Sequence, residues 1–244
     1  MAVDIELLFR VAGPFALLYL AGGLATFKHA QRLPGPAGKA IRNKFLVYLT
    51  VSGLTILAIC TPPLFTPMAI AVALLGLLEV VRLRGSRRPD RWIATAAYLL
   101  LAIGFVMFST QASAATVLIT YGAVVTFDGF SQVFGQRLGR TKIAPSVSPN
   151  KTLEGAVGGA LGAGVYLLLV SHSHFSLSQL LSLIVTLLAA LFGDLLASAW
   201  KRRSGVKDYG TLIPYHGGVL DRFDSFLVAS CAGFGLIALG AGLQ

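Results

Sequence analysis

Three side chains spaced four and three residues apart carry the first chemical signal. Asp194, Ser198 and Lys201 stand at i, i+4 and i+7 of an apolar run, so a helix there puts a carboxylate, a hydroxyl and an ammonium on one face. Asp194 follows Gly193 deep in that run, with no other charge within six residues. Asp221 and Asp224 are three apart and share a face if a helix has begun there. Carboxylates brought together from different helices repel unless a cation lies between them. Hard oxygen donors beside Lys201, Arg202, Arg203 and Lys207 describe a site for Mg²⁺ and phosphate. Gly217-Gly218 would let backbone N–H groups approach an anion at a helix start. There is no G-x-x-x-x-G-K-[ST] loop, which argues against a P-loop ATPase. His29, His172, His174 and His216 lack zinc-ligand spacing. His172 and His174 read as solvated loop residues, and His216, among glycines and charges, as functional.

The elements that must hold these groups are membrane helices. Of 244 residues, 55% are hydrophobic and 12% charged, and mean hydropathy is +0.76. A soluble domain carries about 25% charged residues. The two cysteines, Cys60 and Cys231, both sit in apolar runs, which excludes a disulfide scaffold. The apolar content excludes disorder. A span needs about 20 apolar residues, and eight stretches qualify: 7–27, 45–63, 64–83, 92–110, 112–135, 153–171, 177–200 and 223–243. None alternates as barrel strands do. The reading is an all-α polytopic membrane protein with a polar chamber facing the cytoplasm.

Charge placement sets the orientation. All 20 basic residues except Arg10 fall in four loops, around 28–44, 82–91, 136–152 and 201–222. The connections near 61–66, 110–113 and 171–178 hold none. Every second loop is basic, so these loops face the cytoplasm and both termini lie outside. The net charge of +10 thus reads as topology and attraction to anionic lipid, with no nucleic acid implied. A carboxylate inside a span is costly and marks a functional candidate. Glu79, Asp128, Asp194 and Glu154 all fall toward the cytoplasmic ends of their spans, at the depth of Asp208, Asp221 and Asp224. Two have plain alternatives. Glu79 could pair with Arg82, and Glu154 could serve a helix's first turn. The small-residue run 155–164 reads as a close packing face, within the chain or in a homodimer.

The last loop resembles the phosphatidate cytidylyltransferase (CDP-diacylglycerol synthase) family. The family pattern is Ser, Lys-Arg, Lys-Asp, Pro-x-His-Gly-Gly and Asp-Arg-x-Asp. Here these stand as Ser198, Lys201-Arg202, Lys207-Asp208, Pro214-Tyr215-His216-Gly217-Gly218 and Asp221-Arg222-Phe223-Asp224. Gly193-Asp194-Leu195 and the segment Ser148-Pro149-Asn150-Lys151-Thr152-Leu153-Glu154-Gly155 also fit, as does Asp128 with Gly135, Gly139 and Ala144-Pro145. The resemblance covers roughly residues 120–230. It departs at Gly129, Ser131 and Gln132, and at Ala197, where the family usually carries Glu.

The resemblance implies attack by the phosphate of phosphatidic acid on the α-phosphorus of CTP, giving CDP-diacylglycerol and pyrophosphate. It implies Mg²⁺, with a second, monovalent cation left open. It implies Asp194 and Asp221 as metal ligands, with Asp208 and Asp224 as second candidates. Lys201, Arg202, Lys207 and Arg222 would hold phosphates, and Ser198 would hydrogen-bond a phosphate or a ligand carboxylate. Lys151 and Thr152 would contact phosphate from the other half of the chamber, with Asp128 and Glu154 orienting them. Lys207, Asp208, His216 and Asp224 are the expected catalytic group; Gly217 and Gly218 are expected to bind substrate. Residues 1–110 are expected to form an N-terminal helical region and 111–244 the catalytic one. The expected location is the cell inner membrane. Three alternatives stay open: a paralogue acting on another lipid phosphate, a CTP-dependent lipid kinase, and a non-enzymatic transporter, which the scarcity of charge in the outer half disfavours.

Overall fold

The computed structural model describes residues 36–83, 88–171 and 176–240, with positions 9, 13–17, 23–24, 27–28, 30–32 and 35 before them. The expected first span, 7–27, lies mostly outside the described residues, as do His29, His172 and His174. The described helices are α1 (Pro36–Cys60), α2 (Pro62–Arg82), α3 (Arg88–Gln111), α4 (Ala114–Leu138), α5 (Leu153–Val170), α6 (Leu177–Arg203) and α7 (Leu220–Ala238). A hairpin of β1 (Lys142–Ala144) and β2 (Ser148–Thr152) joins α4 to α5. Its strands run antiparallel, with Lys142 opposite Thr152 and Ala144 opposite Ser148.

The helices begin where their sequences allow it. Proline at the first turns of α1 and α2 costs no intrahelical hydrogen bond. Ser113 caps α4 by accepting from the Thr116 amide at 3.1 Å, and Ser176 forms a capping box with Gln179 on α6. Among the described residues six helices, α1 to α6, are long and apolar enough to cross a membrane, and the chain is an all-α polytopic membrane protein. Three expectations change in detail. Lys39, Arg42 and Lys44, expected in a loop, lie on the first turns of α1, because a helix-starting proline precedes good helix formers there. The segment 136–152, expected as a loop, carries the hairpin. The last helix starts at Leu220, so Asp221, Arg222 and Asp224 occupy its first two turns.

Packing brings the elements of the site to one end. The core centres on Phe105 of α3, Tyr121 of α4 and Phe226 of α7. Phe226 meets Phe105 edge-on at 5.5 Å and Tyr121 edge-on at 5.0 Å between ring centroids. The small-residue face of α5 packs within the chain: added Cβ atoms on Gly158, Gly159 and Gly162 would strike Phe134, Phe127 and Phe130 of α4. Gly193 of α6 lies against Val228 and the Asp224 carbonyl of α7, so these two helices also approach closely. Packing runs across residue 110. Tyr98 of α3 donates to the Ala73 carbonyl of α2 at 2.8 Å, and Gly104 of α3 meets Cys231 of α7.

Candidate active site

Two clusters of charge form where α4, α6 and α7 meet the hairpin and the loop 204–219. The first is centred on Lys151. β2 carries it to the end of α6 that holds the motif residues, where its Nζ lies 2.9 Å from Asp194 Oδ2 and 3.8 Å from Asp128 Oδ1. Burial pulls the Lys151 ammonium down, but Asp128 and then Asp194 more than offset this and hold it above the usual lysine range. Asp128 Oδ1 and Asp194 Oδ2 are buried, yet neither has a well-aligned hydrogen bond. Asp224, on the facing turn of α7, is close enough for its charge to interact with those of Asp194 and Asp128.

The hairpin is mounted by two of the expected substrate contacts. Thr152 is buried and caps α5, its Oγ1 accepting from the Gly155 amide at 3.1 Å. Glu154 takes the Arg140 amide at 3.0 Å and the Thr141 amide at 3.1 Å. Both side chains also anchor backbone. Each occupies an unpaired backbone donor next to Lys151, and so fixes the strand that presents it.

The second cluster is centred on Asp221, whose side chain is 1% exposed. Its Oδ1 accepts from Lys201 Nζ at 2.7 Å. Its Oδ2 accepts from the Tyr209 amide at 2.7 Å and the Gly218 amide at 2.8 Å. The Lys201 ammonium also lies over the Tyr209 ring, 5.1 Å from its centroid, and the Tyr209 hydroxyl donates to the Ala197 carbonyl at 3.2 Å. These contacts fold the loop 204–219 back on the end of α6. Gly205 (φ 71°) and Gly217 (φ 82°) permit the reversals. Three donors thus hold the Asp221 carboxylate here: Lys201 on Oδ1 and two loop amides on Oδ2. Of the two amides expected to cradle phosphate, that of Gly218 serves Asp221, and the next two along the chain, those of Val219 and Leu220, serve Glu79.

The remaining expected residues divide by exposure. Lys207, Asp208, Arg202 and Arg222 are exposed around the loop, with Arg202 reaching the Val206 carbonyl at 3.4 Å. Ser198 is half-buried on α6, one turn from Asp194. His216 is 5% exposed and stacks on Tyr48 of α1 at 6.3 Å. Burial, then the charges of Arg222 and Lys44, hold its imidazole below the usual histidine range, against the Pro214 carbonyl. It is thus a neutral, buried part of the loop.

An apolar cavity of about 220 Å³ adjoins both clusters. Ile93, Ala97 and Leu101 of α3, Leu196, Ala197 and Trp200 of α6, and Leu227 of α7 line it. Asp224 and Arg203 are the charged residues in its lining. Of its lining, Ile93 and Leu196 are exposed, at 68% and 43%. The Trp200 Nε1–H is buried without an acceptor.

Sequence reasoning missed several supports of this loop. Tyr209 lies inside the recognised motif and escaped notice because its role depends on a fold-back. Tyr48 and Asn43, which donates to the Tyr215 hydroxyl at 3.1 Å, lie on α1 with no local signal at all.

For a divalent cation the donor chemistry fits: Asp128 and Asp194 offer buried carboxylate oxygens with no aligned hydrogen bond. Among the described residues no three His, Cys, Asp or Glu side chains converge tightly enough to form a ready-made metal centre, and Lys151 stands between the two carboxylates.

Comparison with known proteins gives consistent similarities. A profile described as "Cytidylyltransferase family" matches residues 44–239. A phosphatidate cytidylyltransferase of Staphylococcus haemolyticus (strain JCSC1435) is 38% identical over 143 residues, which is 54% of this chain and 55% of that protein. Those of Staphylococcus saprophyticus (strain ATCC 15305) and Staphylococcus aureus (strain COL) are 37% and 38% identical over the same length, covering the same shares of each chain. The chain spans about half the length of the curated relatives it matches.

Proposed function

The chain belongs to the cytidylyltransferase family, and from that premise we propose that it transfers cytidylyl from CTP to the phosphate of phosphatidic acid at the cytoplasmic face of the cell inner membrane. The observation that carries this reading is the Lys151 cluster. It joins an ammonium to buried, incompletely satisfied carboxylate oxygens on two membrane helices, beside a loop of exposed cations. Such a site suits two polyanions that must meet at the edge of a membrane.

In the proposed reaction a lipid phosphate oxygen attacks the α-phosphorus of CTP. The bond from that phosphorus to the oxygen bridging to the β-phosphate breaks, and pyrophosphate leaves. The nucleophile is already ionised at neutral pH, so no general base is required, which agrees with a buried, neutral His216. Asp194, with Asp128 and Asp224, would hold Mg²⁺, which neutralises charge on the nucleotide phosphates and the leaving pyrophosphate. Lys151 balances the carboxylates and is placed to bind a phosphate. Lys207, Arg202 and Arg222 draw the triphosphate from the cytoplasmic side. Lys201 is tied to Asp221 and shapes the loop. The apolar cavity beneath Trp200 and Arg203 suits the acyl region of the acceptor, with the free indole N–H available to an ester carbonyl. Ala197 keeps that wall apolar where the family pattern carries Glu.

The test is product analysis with purified protein, labelled CTP, Mg²⁺ and a panel of lipid phosphates in liposomes. CDP-diacylglycerol and pyrophosphate are expected with phosphatidic acid. Release of CDP with a phosphorylated lipid would identify a kinase instead. A CDP-lipid formed only from another lipid phosphate would change the acceptor.

A further inference from the structure

We propose that Glu79, on a helix carrying none of the motif residues, is a positioning residue for the active-site loop. The catalytic part of this inference rests on the cytidylyl transfer proposed above. Glu79 lies near the end of α2. Its Oε1 accepts from the Val219 amide and its Oε2 from the Leu220 amide, each at 2.8 Å. These are amides at the start of α7, which has no carbonyl of its own to offer them. The residue at the N-cap is Val219, and α7 has no side-chain cap of its own. Valine is among the poorest capping residues. Glu79 supplies that cap from another helix, and its charge also complements the positive end of the α7 dipole. The sequence-level partner, Arg82, is exposed and forms no ion pair with it among the described residues.

Two loop glycines make room for this carboxylate. A Cβ on Gly218 would lie 2.5 Å from Glu79 Oε1 and 2.6 Å from Oε2, and one on Gly210 would lie 3.1 Å from Oε1. The Gly218 amide itself goes to Asp221. Glu79 and Asp221 thus divide the first amides of α7 between them, one from outside the motif and one from within it. The same two turns of α7 carry Asp221, Arg222 and Asp224. A slip of this helix end would move the Lys201 anchor and the Asp224 carboxylate together. Misplacements of about 1 Å cost on the order of 10²-fold in turnover.

Full-length variants in liposomes test this. Glu79→Gln keeps the shape but turns an NH₂ group toward one of the two amides. Turnover per folded molecule should fall about 10- to 100-fold, while KM for CTP changes by less than about threefold, because Glu79 touches no substrate. Amide hydrogen exchange at Val219 and Leu220 should quicken. Gly218→Ala should displace the carboxylate from the other side, and the double variant should lose less than the product of the single losses. Arg82→Gln should match wild type. Turnover per folded molecule equal to wild type in Glu79→Gln, or a loss wholly explained by a smaller folded fraction, would overturn the proposal. If wild type transfers no cytidylyl to any lipid phosphate, the proposed function fails by itself. Hydrogen exchange then decides the positioning: unchanged rates at Val219 and Leu220 overturn it, and faster rates sustain it.

Discussion

Two lysine–aspartate pairs stand within one site, and they are built to opposite specifications. Lys201 and Asp221 are 12% and 1% exposed, 2.7 Å apart, and Asp221 has two further backbone donors. Lys151 and Asp194 are 24% and 22% exposed, and Asp194 Oδ2 lacks an aligned hydrogen bond at 2.9 Å from the ammonium. The first pair is held by three donors on one carboxylate. A buried pair so held ties two chain segments together, and removing one partner strands the other. The second keeps carboxylate oxygens without an aligned hydrogen bond, which is what an incoming cation needs. The residue types are the same, and their different roles come from how many donors the surrounding backbone supplies.

Breaking each pair in the same way should separate the roles. Asp221→Asn should have the largest effect on stability, about 3–5 kcal/mol, because it strands Lys201 and sets an NH₂ group among amide donors. A large drop in melting temperature in detergent checks this, with activity loss following loss of folded protein. Near-wild-type stability would remove the scaffold role of Asp221. Asp194→Asn should leave melting within about 1 kcal/mol of wild type, since its side chain is about a fifth exposed and, among the described residues, no backbone donor depends on it. Its Mg²⁺-dependent turnover should nevertheless fall about 10²–10³-fold, as when a transition-state stabiliser is lost. Unchanged turnover in that variant would place the metal elsewhere. The smallest effect should come from Thr152→Ala, which removes the α5 cap beneath Lys151 at a cost of about 1 kcal/mol. Thermal denaturation reads the stability. A turnover loss much beyond tenfold there would mean that Thr152 itself touches substrate.

Much of this protein was legible along the chain. The apolar run lengths and the alternation of basic loops predicted a polytopic helical protein, because a bilayer imposes a local rule on every span. The helices α2 to α6 fall within a few residues of the expected spans. The motif residues, scattered over α4, β2, α6, the loop 204–219 and α7, gather at one end of the molecule. The division of labour within the motif was not legible. Asp194 and Asp221 look alike as isolated carboxylates, and only the fold-back of 204–219 gives Asp221 its amide donors. The sequence reads Thr152 and Glu154 as substrate contacts, and the backbone groups they hold become visible only with the hairpin.

Sequence alone therefore determined the solvent of each segment and the family to which the motifs point, since hydropathy and spacing are properties of neighbouring residues. The tertiary structure alone decided which charged groups are spent and which are free. Glu79 joins Val219 and Leu220, His216 stacks on Tyr48, and Lys151 reaches Asp194 from another element. Hydrogen-bond donors and acceptors are satisfied by whatever lies within about 3 Å, and across a folded helical bundle that distance bears no relation to separation along the chain.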